Sequence, residues 1–84
     1  MNNNSINLSQ AITTSPTFII YKQRCPYCIR AKELLPTARI YDSELYKALS
    51  DEIKQKYNHK TFPKVFIEGK FIGGCDDLEK FLEK

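Results

Sequence analysis

The chain has 84 residues, 13 Lys+Arg against 10 Asp+Glu, and a formal net charge of +3. That length suits one domain over residues 1–84 with a modest core, and 42% hydrophobic and 27% charged residues are ordinary for a globular protein rather than a disordered or coiled-coil one. No apolar run nears the ~20 residues of a membrane span, the scattered lysines make no basic stripe for nucleic acid, and three cysteines are too few for a secreted disulfide framework.

Residues 1–6 are expected to be frayed, and they carry neither the basic nor the apolar region of a secretory signal, which points to the cytoplasm. Ser5 is placed to cap a helix over residues 7–13, with Leu8, Ala11 and Ile12 on one face; Pro16 blocks its continuation. Thr17 to Tyr21 is β-branched and aromatic without alternation, as in a buried central strand. A second helix starts at Cys25-Pro26, where proline suits the first position, carries Ile29, Leu34 and Leu35, and ends at Pro36. Ala38 to Tyr41 reads as a short strand. Asp42 or Ser43 then caps a helix with Leu45, Leu49 and Ile53 spaced at four, open to a break at Ser50-Asp51 and closed by Asn58.

Lys64 to Glu68 reads as a third strand, Glu68-Gly69-Lys70 as a tight turn, and Phe71-Ile72 as a fourth strand. Gly73-Gly74 permits a sharp bend, and Asp76 or Asp77 opens a last helix with Leu78, Phe81 and Leu82 inward. The order is α-β-α-β-α-β-β-α. A strand–helix–strand unit is parallel and right-handed and the final hairpin antiparallel. The predicted fold is α/β: a four-stranded mixed sheet with helices on both faces.

Cys25-Pro26-Tyr27-Cys28 is the sharpest feature. The spacing alone is a weak signal, but the pair follows a buried strand and opens a helix. Unpaired amides and the positive end of the helix dipole then point at the Cys25 sulfur and favour negative charge there, as do Lys22 and Arg24 nearby. Cys28 lies one turn in, within reach of Cys25 and more buried. A zinc set of Cys25, Cys28, His59 and Cys75 is the lesser alternative, because its second half lacks close spacing. Cys75 is weighed as a small semi-buried residue ahead of a second redox thiol, and His59 as a surface residue. Tyr27 is placed at the edge of the site, and Pro63 either punctuates a loop or sits in a turn.

Taken together, Lys22 to Cys28, Thr61-Phe62-Pro63, Lys64 to Ile67 and Ile72 to Leu78 lie in the order and at the distances of the glutaredoxin family, which this chain resembles over residues 17–82. The resemblance implies a thioredoxin-like fold and a dithiol enzyme. Cys25 would attack glutathione mixed disulfides or protein disulfides, and Cys28 would resolve the adduct with a protein. Glutathione would be the reductant and no metal would be needed. Glutathionylated or disulfide-containing proteins would be the substrates of a monomer. It further implies a cis bond before Pro63 facing Cys25, with the backbone of Phe62, after Thr61, pairing with the cysteinyl part of glutathione. Lys22 and Lys60 would meet the glycine carboxylate. Gly74, Cys75, Asp76 and Asp77 would take the γ-glutamyl end, helix amides binding its carboxylate and Asp77 its ammonium. Three departures stand out: Phe62 replaces the usual valine, Ser50 replaces a glutamine that often assists at the glycine carboxylate, and the short segment between Leu35 and Ser43 predicts a stunted second strand. Thioredoxin itself is the rival enzyme, disfavoured by the absence of Trp. A shared iron–sulfur cluster held through Cys25 and glutathione is the rival binding role.

Overall fold

Asn7, rather than Ser5, starts the first helix. In the computed structural model, which describes residues 5–83, the Asn7 side chain accepts the Gln10 N–H at 2.8 Å and the Gln10 side chain accepts the Asn7 N–H at 2.9 Å. This reciprocal pair satisfies two orphan donors at the start of α1, Leu8–Thr14. Then come β1 (Phe18–Tyr21), α2 (Pro26–Leu34), β2 (Arg39–Asp42), α3 (Lys47–Tyr57), β3 (Lys64–Ile67), β4 (Lys70–Gly73) and α4 (Cys75–Leu82).

The sheet order is β2-β1-β3-β4, with β1 parallel to β2 and antiparallel to β3, and β3 antiparallel to β4. This is the expected four-stranded mixed sheet. Successive residues of β1 point to opposite faces. Phe18 and Ile20 join Leu8, Ala11, Tyr41, Leu49, Ile53 and Phe66 under α1 and α3. Ile19 joins Ala31, Val65 and Leu78 under α2 and α4. Both faces of the sheet are therefore covered. Phe18 stacks on Phe66 at 4.7 Å between centroids and meets Tyr41 edge-on at 5.4 Å. Of the segment expected to be frayed, residues 1–4 lie outside the described residues, and Ile6 packs against the first cluster.

The second strand is not stunted: its four residues pair with β1 from Phe18↔Arg39 to Tyr21↔Asp42. It runs one residue later than Ala38–Tyr41. The third helix begins at Lys47 instead of beside Asp42. Asp42 caps the preceding turn, its Oδ1 accepting the amides of Glu44 at 2.8 Å and Leu45 at 3.2 Å. Leu45 is thereby turned out and 62% exposed. No break occurs at Ser50-Asp51, because Ser50 is buried within a continuous helix. Asn58 ends that helix in the left-handed region, at φ 51°, which asparagine tolerates.

Gly74 caps α4, so Cys75 rather than Asp76 or Asp77 is its first residue. Leu78 and Cys75 face inward, whereas Phe81 and Leu82, expected inward, are exposed. Ile29 on α2 is exposed too. At the β3–β4 turn Glu68 and Gly69 have φ of 50° and 82°, the positive values that a type I′ hairpin turn requires at both central positions.

Candidate active site

One end of the sheet collects the candidate residues. β1 ends there, the antiparallel β3 begins there, and β4 ends there before turning into α4. The connections 22–25, 58–63 and 74 are thus neighbours in space.

Cys25 occupies the cap position of α2, with Pro26 at the first helical position and extended backbone at φ −106°, ψ 109°. Its carbonyl accepts the amides of Cys28 at 3.1 Å and Ile29 at 3.2 Å. Arg24, just before it, sits in the left-handed region at φ 64°, a conformation that costs energy for a residue with a Cβ. The Cys25 thiol is half-buried and donates toward the Phe62 carbonyl at 3.8 Å. The bond between Phe62 and Pro63 is cis, as the resemblance implied. Cys28 is 1% exposed, and its sulfur accepts the Lys22 amide at 3.5 Å. Burial, and then a hydrogen bond in which the Cys28 S–H donates to the Cys25 sulfur, push the Cys28 thiol well above its ordinary range. Two thiols one turn apart, one reachable and one shielded, can alternate between a dithiol and a disulfide.

Beside them runs a groove of about 520 Å³ lined by Tyr27, His59, Thr61, Phe62, Gly74, Cys75, Asp76 and Asp77. That size suits a tripeptide-scale ligand. Seven of these residues belong to the set proposed from the sequence. Lys22 and Lys60 do not line the groove; both are exposed. Pro63 is buried and also outside the lining, although its carbonyl lies 3.7 Å from where a Cβ on Gly74 would stand. Asp77 turns back so that its Oδ2 accepts the Gly74 amide at 3.1 Å. Cys75 is 6% exposed, and burial, then the carboxylates of Glu79 and Asp76, push its thiol up. This accords with a small packed residue. Among the described residues no three Cys, His, Asp or Glu side chains converge as metal ligands, so the zinc set is not assembled.

Two residues outside the proposed site set take part, His59, read from the sequence first as a surface residue, and Lys64. His59 lines the groove, its ring 3.3 Å from the Thr61 hydroxyl and edge-on to Phe71. Burial and then the Lys64 charge hold its pKa below the usual histidine value. Lys64 is fully buried, and its Nζ donates to the carbonyls of His59 at 2.6 Å and Thr61 at 3.0 Å. The available signal was a lysine leading the apolar run Val65-Phe66-Ile67 directly after Pro63.

The Glutaredoxin family profile matches residues 12–72. The chain is 37% identical over 79 residues to Glutaredoxin-1 of Rhizophagus irregularis, covering 84% of this chain and 77% of that one. It is 41% identical over 64 residues to Glutaredoxin 3 of Escherichia coli, covering 71% and 77%. The crystal structure of a buckwheat glutaredoxin–glutathione complex superposes with a TM-score of 0.76 at 30% identity, covering 90% of this chain and 79% of that one. With that profile spanning residues 12–72 and relatives at 37% and 41% identity, the chain belongs to the glutaredoxin family of glutathione-dependent thiol–disulfide oxidoreductases.

Proposed function

We propose that Cys25 is the attacking thiol and that the neighbouring groove holds glutathione. The unequal environment of the two sulfurs carries this reading: Cys25 is half-buried at a helix start, whereas Cys28 is enclosed and held as a neutral thiol. With a glutathione mixed disulfide, the Cys25 thiolate attacks the glutathione sulfur and the other thiol leaves as its thiolate. A second glutathione thiolate then attacks the Cys25–glutathione bond, releasing glutathione disulfide and regenerating Cys25. With a protein disulfide, Cys25 bonds one substrate sulfur and releases the other as a thiolate. Cys28, losing its proton, attacks Cys25 and frees the second substrate sulfur. Two glutathiones then reduce the Cys25–Cys28 disulfide.

In this reading the Phe62 backbone, between Thr61 and Pro63, pairs with the cysteinyl part. Gly74, Cys75, Asp76 and Asp77 receive the γ-glutamyl end beside Tyr27. Lys22 and Lys60 attract the glycine carboxylate from outside the groove. The buckwheat relative is a complex with glutathione, which supports the ligand. Glutathionylated and disulfide-containing proteins are the proposed substrates of a cytoplasmic monomer formed by residues 1–84. Thiols and glutathione supply all the chemistry, and no metal is called for. Among the described residues no helix is long and apolar enough to cross a membrane.

Paired assays test the assignment. Cys25→Ser should abolish both activities. Cys28→Ser should keep reduction of a small glutathione mixed disulfide and lose most protein-disulfide reduction. Activity retained by Cys25→Ser and lost by Cys28→Ser would reverse the roles.

A further inference from the structure

Lysine is almost never fully buried without a partner, yet Lys64 is 0% exposed and, among the described residues, forms no ion pair. Its ammonium is spent on one short stretch of chain. It bonds the carbonyls of His59 and Thr61 and lies 4.3 Å from the centre of the Phe62 ring. His59, Thr61 and Phe62 are one wall of the groove, and the Phe62 carbonyl is the group facing the Cys25 thiol. An apolar side chain at position 64 would leave two carbonyls without their donor, at the cost of unsatisfied polar groups.

We propose that Lys64 is a positioning residue for glutathione: its buried ammonium gathers the His59 and Thr61 carbonyls and so sets the groove wall and the direction of the Phe62 carbonyl. This rests on the reading that the groove holds glutathione. Lys64 does not touch the reacting sulfurs; it acts through the backbone it ties down. Burial, and then the charge of Lys54, bring its pKa down to about 8. The other groups facing it are Asp51, on α3 like Lys54, Cys28 on α2 and His59 in the loop. His59 titrates below its usual value and Cys28 above its own. Between pH 7 and 9.5 the ammonium therefore becomes an amine, with one N–H fewer and no charge assistance.

The test is steady-state kinetics on a small glutathione mixed disulfide from pH 7 to 9.5, comparing wild type, Lys64→Met and the groove control Asp77→Asn. At pH 7 Lys64→Met should raise KM about tenfold and leave kcat within about twofold. The KM ratio of variant to wild type should then shrink to about threefold by pH 9.5, as the wild type loses its charge. Ionisations of the substrate cancel in that ratio. An unchanged KM, or a ratio flat with pH, overturns the positioning role while a raised KM in Asp77→Asn keeps the groove in place. If neither variant moves KM, the glutathione groove itself is lost, and the proposal with it. Should Lys64→Met fail to fold, NMR of the wild type decides: the Thr61 and Phe62 backbone resonances must shift with the same midpoint as the Lys64 side-chain resonances, wherever that falls, and backbone signals that stay still while Lys64 titrates overturn the proposal.

Discussion

Gly73 and Gly74 are adjacent, but only one of them is required by the backbone. Gly73 has φ 122°, outside the range open to residues with a Cβ. A Cβ there would also collide with the carboxylate of Asp77, the group that holds the Gly74 amide. Gly74 has room, since nothing comes closer than 3.7 Å to an added Cβ. Gly73→Ala should therefore destabilise the fold by about 1–3 kcal/mol through strain and raise KM by displacing Asp77. Urea unfolding measures the first effect, and an unchanged midpoint would mean that the start of α4 relaxes at no cost. The Gly73-Gly74 bend was legible in the sequence because glycine pairs mark such sites. Which glycine is indispensable was not, because it depends on where Asp77 folds back.

The clearest disagreement at the level of elements is the start of α3. Residues of the Asp-Ser type cap helices because their side chains accept free amides. Asp42 does accept two, but they belong to Glu44 and Leu45 in the turn just ahead of the helix. Its other oxygen accepts Gln23 Nε2 at 3.2 Å, tying this turn to the loop before Cys25. Desolvation opposes the charge of Asp42, but the amides of Glu44 and Leu45 outweigh it and hold its pKa below the ordinary value. The folded state thus binds its proton more weakly than the unfolded chain does. The resulting stability is present above the unfolded pKa of about 4 and is lost as pH falls through the lower folded value. Asp42→Ala should cost about 1 kcal/mol at neutral pH. Asp42→Asn should keep the turn and make unfolding less acid-sensitive between about pH 2 and 5. Identical acid transitions for wild type and Asp42→Asn would remove Asp42 from the acid response.

On the scale of the molecule, net charge and ligand charge are opposite: the chain carries +3, and glutathione has two carboxylates against one ammonium. Lys22 and Lys60 are exposed and lie outside the groove, so the pull on the ligand proposed for them acts through water. Salt screens such interactions, the Debye length falling from about 10 Å at 0.1 M to about 3 Å at 1 M. KM for a glutathione mixed disulfide should rise about two- to threefold over that range, with kcat little changed. A salt-independent KM would leave Lys22 and Lys60 without a part in binding.

The order of elements, the mixed sheet and the closeness of Cys25 and Cys28 at a helix start were all readable from the chain. Hydrophobic runs, proline, glycine and the Cys25-Pro26-Tyr27-Cys28 spacing are local signals, and each was enough to place its element. The face buried by α4 was not readable. Leu78, Phe81 and Leu82 share helical spacing, but only Leu78 is enclosed, because it alone of the three joins the cluster of Ile19, Ala31 and Val65. Leu45 was misplaced for a similar reason, its turn being closed by Asp42 and not by hydrophobic burial. The assembly of the groove was likewise decided by tertiary structure. Residues 27, 59, 61, 62 and 74–77 meet because β3 runs antiparallel to β1 and β4 returns alongside β3 to the same end of the sheet. Lys64 belongs to that level too: a lysine in a strand reads as a surface residue until the loop before it folds over its ammonium and supplies two carbonyls to hold it there.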